Sequence, residues 1–361
     1  MTGQRTPNPG PNPTAALRPM LKPGLRRVWR DPETVQFGVD PQTAVVVPGV
    51  DDQVEAFLLS LDGRRTRAEV LAACLLPPDQ ATALLDHLTS AGVLDDAAAV
   101  SAPLARTLRA RRERLHPELA ALVLQQTAPG DAARAFQTRR RSTVRIEGLG
   151  RLGAVLALLL DASGFDRVEL VDGRPVRQVD VHPGGHRSVD VDQPRDRALQ
   201  DRLGHDRLRG TARRTPGRGR ADLVVLAGLD HVRGRAQALT AAGQPHLLLD
   251  VVEDVGRLGP LVVPGATACL TCLDHHRTDR DRAWPRILAQ LTGAAGDHSS
   301  AVTVAATAAA ATWHITSWLA GGRPPSIDAE LTVRPPHGLT QQHPYQPHPA
   351  CGCGWQQSAT A

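Results

Sequence analysis

Four of the chain's five cysteines stand in two tight pairs, Cys269-Leu-Thr-Cys272 and Cys351-Gly-Cys353. A knuckle of two thiolates two or three positions apart presents two corners of a tetrahedron, and two knuckles complete a sulfur-only zinc site. With all four corners taken, none is left for water or substrate, so such an ion is expected to be structural. It would fasten the C-terminal tail to the loop after a central sheet. His343 and His348 flank the second pair and are alternative ligands. Cys74 lies among apolar neighbours and reads as core, not nucleophile. Thiols paired in this way point to metal rather than disulfide in a reducing compartment.

The second constellation is Gly148-x-Gly150-x-x-Gly153, which follows an apolar strand pattern and opens an apolar helix pattern. The first glycine permits a tight turn. The second lets backbone approach a phosphate, and the third lets helix pack on strand. The helix N-terminus then offers free N–H groups and a favourable dipole to an anion. Asp172 closes the next strand, where a carboxylate can accept ribose hydroxyls. This βαβ unit implies an adenosine-type ligand without fixing the reaction, and a fold kept around a weakened pocket is the alternative.

These sites need a frame. The chain has 361 residues, 41% hydrophobic and 22% charged, enough for two or three packed domains. No apolar run reaches the ~20 residues of a membrane span. The first 17 residues, rich in Pro and Asn, read as a disordered tail without a secretory core, and a cytoplasmic protein is expected. Net charge is +5, but Lys22 is the only lysine and aromatics are 3%. The stretch Arg106–Arg114 therefore reads as a solvated linker helix rather than a nucleic-acid track.

Residues 18–98 predict a small β-β-β-α-α-α domain. Two extended runs flank Asp31-Pro32, and Ala44–Gly49 is the third strand. Val54, Phe57, Leu58 and Leu61 share one helical face, Thr66 and Glu69 have capping-box spacing, and Ala81, Leu84, Leu85 and Leu88 form another stripe. Residues 99–140 read as linker helices broken at Pro103, Pro117 and Pro129. Strands alternating with helices over 141–260 predict an α/β domain with a Rossmann-like, mainly parallel sheet. Residues 261–361 carry the zinc pairs, a long Ala-rich helix with Trp313 and Trp318 as core or dimer anchors, one strand and an extended tail. His275 and His276 read as loop-anchoring groups.

Together, "VRIEGLGRLG", "VELVDGRPV", "LAGLDHVRGR" and "GPLVVPGATACLTC" resemble the ThiF/MoeB superfamily of ubiquitin-activating-type adenylyltransferases. The resemblance implies ATP and magnesium, with Gly148, Gly150 and Gly153 at the phosphates and Asp172 on the ribose. It matches Asp230, catalytic if the site is active, and Arg235 to the family's ATP and magnesium motif. The family's usual S-N-L-x-R-Q run is missing after the ribose acid. Asp180 falls where an asparagine is expected, and Arg195 stands where an ATP-contacting lysine is expected. Arginine is planar and larger than lysine, so that exchange is not neutral.

The N-terminal "RPMLKPGLRRVWRDPETVQFG" is similar to the PqqD-like, winged-helix-like leader-recognition element. The closest resemblance of the whole is to the ThiF-like partner proteins of azoline-modified peptide clusters. It implies a precursor leader peptide as ligand, a YcaO-type cyclodehydratase as partner, structural zinc, possible ATP–magnesium and a homodimer. The groove would lie between the third strand and the helix from about 78 to 91. The alternatives are a working adenylyltransferase acting on a small protein's or peptide's C-terminal carboxylate, then an NAD-dependent dehydrogenase, and last a winged-helix DNA-binding regulator.

Overall fold

The computed structural model describes residues 17–105, 107, 109–204, 219–228, 231–291, 299–336 and 338–354. The expected tail (1–17) thus lies outside the described residues save for Leu17. Two compact units divide between Gln137 and Thr138.

The first unit carries β1 (Pro19–Leu21), β2 (Arg27–Asp31), β3 (Thr34–Phe37) and β4 (Val45–Val47), then α1 (Asp52–Ser60), α2 (Arg67–Ala73), α3 (Pro78–Ser90) and β5 (Leu94–Asp96). Strands β2, β3 and β4 form an antiparallel sheet with β4 at one edge, and β1 pairs with β5. The apolar stripes read from the sequence are its core: Val54, Phe57, Leu58, Leu61, Ala81, Leu85 and Leu88 are buried together, and Leu84 and Cys74 pack against them. The capping box forms, with Glu69 N–H donating to Thr66 Oγ1 and Thr66 N–H to Glu69. Lys22 is buried here and donates to the Gln126 carbonyl at 2.5 Å.

Helices α4 (Ala97–Ser101), α5 (Arg109–Gln125) and α6 (Asp131–Arg141) follow. Pro117 does not break α5; it sits inside the helix. A proline there forfeits one helical hydrogen bond. The flanking Leu115, Leu119 and Leu122 are buried with Phe136, which holds the turn in place. In the basic stretch Arg109, Arg112 and Arg114 are exposed on the helix, while Arg111 is buried.

The second unit is a seven-stranded sheet. Its elements are β6 (Thr143–Glu147), α7 (Arg151–Ala162), β7 (Arg167–Val171), α8 (Arg195–Gly204), β8 (Leu223–Ala227), α9 (Val232–Ala241), β9 (His246–Val252) and β10 (Val255–Val262). Then come α10 (Leu270–Arg280), α11 (Trp284–Leu291), α12 (Ala301–Leu319), β11 (Ala329–Arg334) and β12 (Leu339–Pro344). The order is β12-β11-β10-β9-β8-β6-β7. Strands β7, β6, β8 and β9 are mutually parallel, the Rossmann-like part; β10, β11 and β12 extend it antiparallel. The expected extended tail is partly a strand, because β12 covers the edge of β11. Trp318 packs against the core, whereas Trp313 is 72% exposed. Among the described residues no helix is long and apolar enough to cross a membrane.

Helix α12 crosses β10 where Gly256 leaves room: a Cβ there would lie 1.9 Å from Thr307 Oγ1. Gly256→Ala should therefore cost about 1–3 kcal/mol through overpacking, and adding Thr307→Ala should return part of that loss. Denaturant midpoints of the single and double variants check this; a wild-type midpoint for Gly256→Ala would contradict the packing.

Candidate functional site

Strand β6 delivers the glycine turn to its C-terminal end. Gly148 holds φ +91°, a region closed to most side chains. A Cβ on Gly153 would lie 2.0 Å from the Gly148 carbonyl oxygen, so only glycine lets α7 start here. Gly150 caps α7. Asp172 follows β7, and its Oδ2 accepts the Leu149 N–H at 2.9 Å. The turn and the acid are therefore assembled as the motif requires.

The cleft around them is filled by the chain itself. Arg174 donates from Nε to Asp172 Oδ1 at 2.9 Å and from Nη2 to Oδ2 at 3.1 Å. Arg195, 4% exposed, donates from Nη1 to Asp172 Oδ2 at 3.1 Å and from Nη2 to Asp180 Oδ2 at 2.6 Å. Burial opposes ionisation of Asp172, but bonds from Arg174, Leu149 N–H and Arg195 hold its carboxyl down to about 2. Asp180 is fully buried, and its pKa is also lowered: burial opposes this, while the Arg177 N–H and Arg195 outweigh it.

The segment after β7 is laced onto the turn. Arg151 Nη1 donates to the Val179 carbonyl at 2.7 Å, and His186 Nε2 to the Leu149 carbonyl at 2.7 Å. That bond places the His186 proton on Nε2, and burial lowers its pKa. Arg235 does not reach into the cleft as a free cation. Its Nε and Nη2 grip the Glu147 carboxylate at 2.6 and 2.5 Å, which raises its own pKa. Asp230 lies outside the described residues.

The cysteine pairs do meet. Sγ–Sγ distances are 3.8 Å for Cys269–Cys272, 3.7 Å for Cys269–Cys351 and 3.4 Å for Cys272–Cys353, with all four sulfurs within 4.8 Å of one another. Zinc–sulfur bonds of about 2.3 Å imply tetrahedral edges of about 3.8 Å, so the four fit one zinc ion. The hydrogen bond that the metal-free Cys269 thiol donates to Cys272, with burial, pushes it up to about 12, and burial does the same first for Cys353. Four thiolates brought this close would need a cation to match their charge.

Groups outside the cysteine motif hold the two knuckles together. Asp328 accepts the Ala268 N–H on Oδ1 at 2.7 Å and the Tyr345 N–H on its carbonyl at 2.9 Å. His348 Nε2 meets Asp279 at 2.8 Å, its carbonyl accepts the Cys351 N–H at 2.9 Å, and its ring stacks on His275. His276 Nε2 donates to the Gln346 carbonyl at 2.8 Å. The histidines thus anchor the tail beside the sulfurs; the four thiolates are complete without them. Arg174, His186, Glu147 and Asp328 carried no sequence signal: the partners of the last three, Leu149, Arg235 and Ala268, lie far away along the chain, and Arg174, two residues from Asp172, belongs to no motif.

No family model matches the sequence, and no curated protein matches it. Solved structures do match the fold. "Crystal structure of E. coli MccB + AMPCPP + SeMeT MccA" is 14% identical with a TM-score of 0.70, covering 93% of this chain and 99% of that one. "The structure of Microcin C7 biosynthetic enzyme MccB in complex with N-formylated MccA" is 14% identical with a TM-score of 0.68 over the same shares. PaaA is 17% identical with a TM-score of 0.63, covering 89% of this chain and 98% of that one. The shared architecture supports the ThiF/MoeB-type fold and, at these identities, speaks to fold alone.

Elemental analysis should find one zinc per chain. Because zinc displaces protons from thiols lying at about 12, affinity should fall as pH falls, and release into a chromogenic chelator should quicken between neutral and mildly acidic pH; pH-independent release would contradict a thiolate site. Asp172, lowered from 3.8 to about 2, stabilises the fold above its unfolded pKa and loses that contribution as pH falls through about 2. Asp172→Asn should therefore cost about 2 kcal/mol near neutrality, with the wild-type advantage shrinking in acid melts.

Proposed function

We propose that the chain captures the leader of a precursor peptide and presents it to a YcaO-type cyclodehydratase without adenylating the peptide itself. The observation that carries this reading is the state of the nucleotide cleft. Leu149 N–H, Arg174 and the buried Arg195 all donate to the Asp172 carboxylate. A ribose would have to displace two arginines from a buried carboxylate, and a buried charge left unpaired is costly. Asp230 and Arg235 remain the residues proposed for magnesium and ATP if the site opens, with Arg235 first having to leave Glu147. When bound, ATP–magnesium would supply an activated phosphoryl group and charge neutralisation.

The leader site we propose is the edge of β4. No strand lies beyond β4 among the described residues, and Val46 is exposed there. An extended peptide can add at such an edge through backbone hydrogen bonds, with side-chain pockets setting specificity. The opposite edge strand of the same sheet, β2, carries Trp29, half-exposed with Arg27 stacked over it at 5.5 Å. The zinc ion we assign a structural role. We include a homodimer in the reading: α12 has no charged side chain over 19 residues, and exposes Val302 and Trp313. A cytoplasmic location also belongs to this proposal.

A second reading, ATP-dependent activation of a carboxylate, is favoured by one observation. The glycine turn keeps its geometry, and structures titled as E. coli MccB with ATP and with AMPCPP share the fold. The two readings separate in one experiment. A labelled peptide made from a precursor encoded beside the chain should bind with the same affinity with or without ATP–magnesium. It should stimulate no pyrophosphate exchange. Val46→Asp should weaken binding by about tenfold, the scale of one lost strand contact set, at an unchanged melting temperature. Peptide-dependent exchange would establish the second reading, and binding indifferent to Val46→Asp would remove the leader site from β4.

A further inference from the structure

We infer that Asp180 acts as the chain's own anion at the glycine turn, and that this one carboxylate selects against nucleotide polyphosphates. The second glycine of such a turn lacks a Cβ so that a pyrophosphate can come close to the backbone. A Cβ on Gly150 would point to two atoms of the protein instead: Arg195 Nη1 and Asp180 Oδ1, each 3.8 Å away. The space the motif reserves for phosphate therefore holds the ends of an ion pair.

The charge of that space is set as well as its volume. Asp180 Oδ2 accepts the Arg177 N–H at 2.8 Å and both Arg195 bonds, while Oδ1 is buried with no hydrogen-bond partner. Arg177 Nη2 lies 3.6 Å from Oδ1. A phosphate entering beside Gly150 would meet this carboxylate oxygen at contact distance. It would gain nothing from Arg195, which two carboxylates already neutralise. The N-terminus of α7, twelve residues long, favours a nearby negative charge, and Asp180 supplies one from within. Displacing it is not a single side-chain rotation, because Arg151 and His186 bind the same segment to the turn. The ligand class excluded is the polyphosphate; the adenosine half of the cleft is not what Asp180 touches.

The inference rests on the non-adenylating half of the proposed function. It is tested on the zinc-loaded full chain by calorimetric titration with ATP–magnesium, and separately with inorganic pyrophosphate. Wild type, Asp180→Asn and Asp180→Ser are compared, with melting curves as the check on folding. Asparagine keeps the shape and the acceptor for the Arg177 N–H while removing the charge; serine is a smaller neutral side chain in case asparagine is not tolerated. Wild type should show no saturable binding of either ligand at millimolar concentration. A folded neutral variant should bind both at least about tenfold more tightly, the scale of removing one like charge from a buried site. Tight ATP binding by wild type, or no gain in a folded neutral variant, overturns the inference. Leader binding in the same samples separates the two claims. Retained leader binding with no nucleotide gain sinks only the role of Asp180. Nucleotide gain without leader binding sinks only the leader proposal.

Discussion

Arg195 sits between two carboxylates with almost no access to water, and the conformation of the cleft depends on that contact. Three buried charges cannot persist singly: each needs its partners within hydrogen-bond reach, because desolvation of an isolated ion exceeds any packing gain. Asp172 is fixed at the end of β7 and by Leu149 N–H. Arg195 is fixed by starting α8, and its backbone N–H donates to the Arg174 carbonyl at 2.9 Å. Asp180 must then come to Arg195, which draws the irregular segment between them over the glycine turn. A pocket that reads as open in a motif is thereby closed by the residues that follow the motif.

The parts of this arrangement that could be read in the sequence are those where backbone geometry restricts residue type. Gly148, Gly153 and Asp172 carry such restrictions, and so do the cysteine pairs, whose spacing matches the corners of a tetrahedron. Capping at Thr66 and the apolar stripes of α1 and α3 have periodicity behind them. Strand β10 has none. It begins after a two-residue turn in which Glu253 and Asp254, not glycine or asparagine, hold φ of 52° and 59°. It also contains Gly256, Gly259 and Pro260, which argue against a strand until Thr307 and Ala329 are seen packed over the glycines. The segment from 174 to 195 was equally opaque. Its two Arg-x-Val-Asp turns, Arg177–Asp180 and Arg187–Asp190, are built from side chain to backbone bonds, which leave no periodic trace.

The antiparallel half of the sheet explains why the metal site and the cleft can coexist on one frame. Of the parallel strands, β6 ends at the glycine turn and β7 at Asp172. Strands β10, β11 and β12 run the chain back and forth, and Asp328, just before β11, ties the Cys269 loop to the start of the Cys351 tail. The sulfurs need that convergence before any ion arrives, since Cys351 and Cys353 follow only a short distance beyond β12. Sheet pairing and the Asp328 bonds thus bring the loop and the tail that carry the four sulfurs to one place.

A fold of this kind can lose an activity without losing its shape, and the charge cluster gives the physical reason. In a nucleotide site the helix N-terminus and the neighbouring cations are compensated only when phosphate is present, so the empty pocket is electrostatically unfinished. With Asp180 and Asp172 on Arg195 the compensation is internal, and the segment over the turn gains fixed hydrogen bonds to the backbone of Leu149 and to Arg151. Stability of the empty state and affinity for polyphosphate then oppose each other through the same atoms. A protein whose proposed task is to hold a peptide for another enzyme gains from the first and has no use for the second, which is why the cleft and the leader reading belong together.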